Sequence, residues 1–168
     1  ALAQGPIRFV RASMLRHNRR EREFVSGTGI HSLDALRFIA GDVRRAESFT
    51  QVSDTPWHHF VLHFESGALG AFDVLTTDGS VEERYEIYGE GYRVNMAVES
   101  SPEPRLQCWK DNKMVVDKRP DPDEPAHIRI GPYAEAHEFI TALAQKRPMW
   151  PTIADVFPSM VLAHQLNP

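Results

Sequence analysis

The sequence predicts an α+β domain, a large and mostly antiparallel sheet covered on one face by helices. Three observations lead there. Eight short extended runs are bounded by turn residues, and seven of them follow one another with no helix between. Helical periodicity is confined to one segment after the first run and two at the end of the chain. The connections between successive strands are short, which implies hairpins and antiparallel neighbours. Strands grouped in sequence, with helices set apart from them, sort into a sheet and a covering layer.

The elements follow in order. Ile7–Leu15 (IRFVRASML) is rich in β-branched and apolar residues and predicts a strand, with Ile7, Phe9 and Arg11 on one face and Arg8, Val10 and Ala12 on the other. His17–Glu23 is a charged loop. Ile30, Leu33, Leu36, Arg37 and Ala40 recur at helical spacing, and Gly41 suits the C-terminal cap. Extended runs then cover Ala46–Val52, His58–Phe64, Ala68–Thr76, Arg84–Tyr88, Tyr92–Val98, Arg105–Trp109 and Lys113–Asp117. Turn chemistry separates them at Glu65-Ser66-Gly67, Asp78-Gly79, Gly89-Glu90-Gly91 and Asp111-Asn112. Arg119–Pro125 is a proline-rich acidic loop. Pro132 suits the start of a helix reaching Gln145, with Tyr133, Ala136, Phe139, Ile140 and Leu143 on one side. Thr152–Gln165 forms the last helix. Thr152 and Asp155 stand at capping-box spacing, and Pro158 marks either its true start or a kink.

Composition sets the limits. A chain of 168 residues predicts a single domain, 1–168, with a core that needs no staples. Its formal charge of -4 excludes a generally basic nucleic-acid surface. Cys108 is the only cysteine, so an internal disulfide and a cysteine zinc site are excluded, and a reducing cytoplasmic location is expected. No apolar run approaches the roughly 20 residues of a membrane span, and no signal peptide is visible. The chain opens ALAQGPIRFV, without Met, and stops at Asn167-Pro168 just after a helical pattern, so a fragment of a longer polypeptide is expected.

The stretch Ser26–Phe38 (SGTGIHSLDALRF) concentrates the candidate chemistry. Gly27-Thr28-Gly29 matches two of the three glycines of a dinucleotide turn, but RHNRREREFV upstream cannot be the buried strand that motif needs, and no βαβ alternation follows. His31 and Asp34 share a helix face. In a first turn the helix dipole would favour a neutral imidazole able to accept a proton from a substrate hydroxyl. The commoner outcome for such a pair is a cap, or a bond to Arg37 one turn on. Arg16, Arg19, Arg20 and Arg22 could bind a substrate carboxylate or phosphate, although a solvated loop with internal ion pairs to Glu21 and Glu23 is the more frequent arrangement. His58, His59 and His63 suggest a metal, but alternation puts only His59 and His63 on one face, short of a zinc site. Phe60, Leu62, Phe64, Phe72 and Val74 are read as sheet core or an oligomer face. Trp57, Trp109 and Trp150 are candidates for packing or for lining a pocket.

"GTGIHSLDALRFIAGDV" resembles the first helix of the C-terminal domain in the Gfo/Idh/MocA oxidoreductases, whose domain is of the dihydrodipicolinate reductase-like type. "FVLHFESGALGAFDV" is similar to that family's strand–turn–strand unit, "EERYEIYGEGYRVNM" to its strand pair across Gly-x-Gly, and "EAHEFITALAQKRPMWPTIADVFPSMVLA" to its final helices. Their order is kept from Pro6 to Leu166. The resemblance implies a two-domain enzyme whose N-terminal Rossmann domain, absent from this chain, binds NAD or NADP; the chain itself holds no cofactor or metal. Its glycine fingerprint and Glu-Lys-Pro lysine have no counterpart here. The resemblance further implies a dehydrogenase acting on a sugar or polyol-like hydroxyl, inactive as this fragment alone, with His31 catalytic and Arg16, Arg19 and Asp34 contacting substrate. The family's Asp-x-x-x-His signature is broken, because Gly27 stands where the Asp would be. A homo-oligomer through the open sheet face is implied as well, with no nucleic-acid or membrane partner. The alternative is a stand-alone, non-enzymatic module that binds a small ligand or dimerises.

Overall fold

The computed structural model describes residues 5–51, 53–98 and 100–167. Eight strands form one sheet: β1 (Ile7–Leu15), β2 (Val43–Gln51), β3 (Trp57–Phe64), β4 (Leu69–Leu75), β5 (Glu82–Gly89), β6 (Tyr92–Ala97), β7 (Arg105–Lys110) and β8 (Lys113–Lys118). Helices are α1 (Ile30–Ala40), α2 (Ala126–Arg129), α3 (Pro132–Ala144) and α4 (Ile153–Leu166). A π-helical turn, Val25–Gly29, runs directly into α1. The α+β class and the helix-covered sheet are as the sequence predicts. The strand expected over Ala46–Val52 begins three residues earlier, and Val52 lies outside the described residues.

Sheet order is β2-β3-β4-β1-β5-β6-β7-β8. Five hairpins are antiparallel, as short connections require. The connection around Asp78-Gly79 is different. It passes over the end of β1, which is inserted between β4 and β5 and pairs with β4 in parallel. Pairing partners some sixty residues apart are invisible to turn chemistry, so the sequence predicts a hairpin there and the structure holds a crossing. The crossing is fixed by main-chain bonds: Arg16 N–H donates to the Leu75 carbonyl and Asp78 N–H to the Arg16 carbonyl, both at 2.8 Å.

Alternation along the strands separates the two faces. Val10, Ala12 and Met14 of β1, Phe60, Leu62 and Phe64 of β3, and Phe72 and Val74 of β4 are buried toward the helices. They are core, and the oligomer-face reading of Phe60, Leu62, Phe64, Phe72 and Val74 is set aside. Gly70 makes this packing possible: a Cβ there would sit 2.7 Å from the Phe64 ring. Leu33, Leu36 and Ala40 of α1 and Leu162, Ala163 and Leu166 of α4 close the core from above.

The last helices carry an unexpected feature. Thr152 caps α4 in a complete capping box with Asp155, and Pro158 lies inside the helix rather than at its start. The apolar stripe of α3, however, is not buried. Phe139, Ile140 and Leu143 are half or more exposed, as are Ile153 and Phe157 of α4, and Ala142 is the one buried residue of α3. Among the described residues no helix is long and apolar enough to cross a membrane.

The asymmetry gives a direct test. Phe72→Ala opens a cavity under α1 and should lower the unfolding free energy by about 3–5 kcal/mol, while Ile140→Ala should change it by less than about 0.5 kcal/mol. Urea unfolding of the two variants reads both.

Candidate functional site

The glycine-rich stretch is helical. Phe24, Gly29 and Ile30 all have right-handed helical dihedrals, and Gly27 N–H donates to the Glu23 carbonyl at 2.8 Å. A pyrophosphate cradle needs free backbone N–H groups in a tight turn, so Gly27-Thr28-Gly29 does not form one. The helical run begins near Phe24, and His31 therefore lies well inside it, not in its first turn. The positive end of the dipole falls at the π-turn instead. The sequence misplaces it because Gly-x-Gly reads as a loop. A Cβ at Gly27 would meet nothing within 4 Å.

His31 and Asp34 do share a face, and both line one cavity of about 460 Å³. Phe38 of α1, Trp150 and Pro151 of the α3–α4 connection, and Val156 of α4 supply its apolar walls. The Phe38 and Trp150 rings lie 5.8 Å apart. His31 is exposed to this cavity and makes no hydrogen bond to any described side chain. Asp34 is held in place: the buried Ser159 hydroxyl donates to its Oδ1, and Arg37 lies 3.7 Å away. Arg37 also donates to Ser159 Oγ at 2.6 Å, to the Asp155 carbonyl at 3.2 Å, and to Asp42. This cluster ties α1 to α4 across the cavity floor. The pairing of Asp34 with Arg37 that spacing suggests is thus present, as an ion pair at 3.7 Å, and it leaves His31 as the unengaged residue beside it. Ser159 was missed from sequence, because a serine in a helix reads as surface.

Beneath α1 a second network reaches the π-turn. The buried Tyr85 hydroxyl lies 2.6 Å from Glu83 Oε1 and 3.1 Å from the buried Ser32 Oγ. One phenolic proton goes to the carboxylate, so Ser32 donates to Tyr85. Arg16 binds Glu83 at 2.6 Å and donates to the Leu15 and Glu82 carbonyls, with its side chain only 13% exposed. Arg19 pairs with Glu21, stacks over Phe24 and reaches Thr28 Oγ1 at 3.4 Å. Neither Arg16 nor Arg19 lines the His31 cavity. Of the three tryptophans, Trp150 does; Trp109 lies under Arg93, and Trp57 is on the open sheet face. His59 and His63 face the open side and bond Asp73 and Glu47, whereas His58 is buried on the other side. Among the described residues no three metal-ligating side chains come together.

Burial, reinforced by the Glu83 charge, raises the Tyr85 phenol above its ordinary value of 10. Above pH 10 the unfolded chain therefore releases a proton that the folded chain keeps. The unfolded state then binds fewer protons, and stability falls as pH rises, by about 1.4 kcal/mol per pH unit from this group. Tyr85→Phe should remove that part of the slope between pH 10 and 11.5 in parallel urea titrations.

No family model and no curated protein matches this sequence. Solved structures do. A dehydrogenase (MviM) from Clostridium difficile superposes with a TM-score of 0.81 at 12% identity, over 96% of this chain and 55% of its own. A dehydrogenase from Chromobacterium violaceum gives 0.81 at 18%, over 96% and 52%. A levoglucosan dehydrogenase in complex with NADH and L-sorbose gives 0.77 at 15%, over 96% and 56%. The chain thus spans about half the length of the solved structures it matches, and it shares the fold of the matched half of these dehydrogenases.

Proposed function

We propose that the chain is the substrate-side domain of an NAD(P)-dependent oxidoreductase that acts on a sugar or polyol-like hydroxyl. The observation that carries this is the uncovered apolar surface of α3 and α4 beside the His31 cavity. Ile140 is 65% exposed, Phe157 58% and Trp150 57%. So many large apolar side chains left exposed on two helices mark a contact surface. Dehydrogenases of the same fold are about twice as long, which supports a second domain as its cover.

The backbone of Gly27–Gly29 is spent on its own helix and offers no cradle for a dinucleotide. A nicotinamide held by the second domain would accept the hydride, and this chain alone is expected to be inactive. The work left to this chain is to bind the substrate and take a proton. His31 is the base: it stands at the cavity without a partner, on a helix clamped by Arg37, Asp34 and Ser159. Asp34 keeps a carboxylate beside the substrate, and Arg19 steadies the Thr28 turn before His31. Arg16, closed off by Glu83, supports the site from below.

The open sheet face is the proposed homo-oligomer interface. Phe49, Trp57 and Leu69 are exposed there among ion pairs. A face mixing apolar and paired charged residues suits a twofold contact.

In the protein carrying its upstream half, His31→Ala should lower kcat at least about 100-fold with little change in KM. Unchanged turnover would remove His31 from the chemistry, and micromolar NADH binding by the 168-residue chain alone would overturn the two-domain reading. Trp57→Glu should shift the species seen by light scattering toward the monomer.

A further inference from the structure

A second cavity, of about 410 Å³, lies on the helix side of the sheet where β3 begins and β4 ends. It shares no lining residue with the His31 cavity. Its floor is polar and built. His58 is only 3% exposed and Thr76 4%. The His58 ring stacks on Phe60, and its Nδ1 is 3.0 Å from Thr50 Oγ1. His58 lines the cavity, and no described residue bonds its Nε2, across the ring. Burial lowers the imidazole below the ordinary histidine range, so it meets a ligand as a neutral hydrogen-bonding group. Thr76 is fixed because its carbonyl accepts from Arg19 N–H at 2.8 Å.

The mouth is charged. Arg20, Arg22 and Asp54 stand around it, with Glu21 already paired to Arg19. Two guanidinium groups against one free carboxylate leave a single positive charge, which matches a monoanion better than a dianion. Guanidinium forks suit a planar carboxylate. A neutral imidazole and a hydroxyl behind them suit a hydroxyl group.

We propose that this cavity binds a small hydroxylated carboxylate, with the carboxylate at Arg20 and Arg22 and a hydroxyl between His58 Nε2 and Thr76 Oγ1. The site is independent of the dehydrogenase reading and needs no second domain.

Calorimetric titration of the 168-residue chain tests it. Sodium D-gluconate should bind one to one, and acetate and D-glucitol should each bind at least about tenfold more weakly, since each lacks half of the recognition. Arg22→Gln, at an exposed position, and Thr76→Val, of the same shape, should each weaken gluconate about tenfold. His31→Ala should leave it unchanged. Absence of gluconate binding at millimolar concentration overturns the proposal. Acetate binding as tightly as gluconate overturns it by showing an ion on surface arginines, and glucose 6-phosphate binding tenfold tighter than gluconate overturns the charge assignment. Loss of binding in His31→Ala but not in Arg22→Gln would place the ligand in the other cavity, overturning this site while leaving the dehydrogenase reading intact.

Discussion

The insertion of β1 between β4 and β5 is the constraint on which both cavities depend. A strand flanked on both sides has no edge, and its inward residues Val10, Ala12 and Met14 are fully buried. Its end is therefore a fixed point. The main-chain bonds from Arg16 to Leu75 and from Asp78 to Arg16 fasten the crossing connection onto it. The Arg16–Glu83 ion pair, at 2.6 Å and mostly shielded, fastens β5 to the same point. Glu83 then holds Tyr85, and Tyr85 meets Ser32 under α1. One continuous set of bonds thus leads from the middle of the sheet to the helix that carries His31. Partly buried pairs of this kind are screened less than surface ones, so the geometry persists at physiological salt.

The opposite side of α1 is governed by Arg37. A guanidinium offers five donors in a fixed fork. Here they go to Asp42, Ser159, the Asp155 carbonyl and the neighbourhood of Asp34. Ser159 is fully buried, and its hydroxyl is satisfied on both sides. Most polar groups of this cluster are engaged with one another. What remains to face the cavity is the imidazole of His31, the exposed side of the Asp34 carboxylate, and the apolar walls from Phe38, Trp150 and Val156. A pocket with apolar walls and two polar groups turned toward it is suited to placing a substrate rather than to holding the fold.

Much of this was legible in sequence, and the limits are physical. The apolar spacing of α1 over Ile30–Ala40 and its end at Gly41 match the periodicity, because spacing and a glycine C-cap are local, whereas its start is not, since the helix continues back through the π-turn. The capping box at Thr152 and Asp155 is local too. The parallel β1–β4 pairing depends on partners far apart in the chain and left no local mark. The helical state of Gly27–Gly29 was hidden because glycine permits many conformations and the packing of Phe24, Val25 and Phe72 selects one. The stripe Tyr133, Ala136, Phe139, Ile140 and Leu143 falls on one helix as its spacing predicts, but periodicity cannot tell a face buried in its own domain from one left for another. In the candidate site, spacing put His31 and Asp34 together. Ser159 and Glu83, which position them, come from distant elements and carry no motif.

Phe24 and His31 lie on one helical run, and that relates the two cavities to each other. Phe24 lines the polar cavity, and its ring carries Arg19, which in turn reaches Thr28. Seven residues on, His31 lines the apolar one. At about 1.5 Å of rise per residue the two positions are about 10 Å apart. The run between them is held along its length: Phe24 and Val25 are buried in the core, the π-turn packs on α4, Ser32 meets Tyr85, and Asp34 and Arg37 meet Ser159. What differs between its two ends is exposure. The buried Phe24 ring supports Arg19 beside the polar cavity, and the exposed His31 imidazole is left to meet what enters the apolar one.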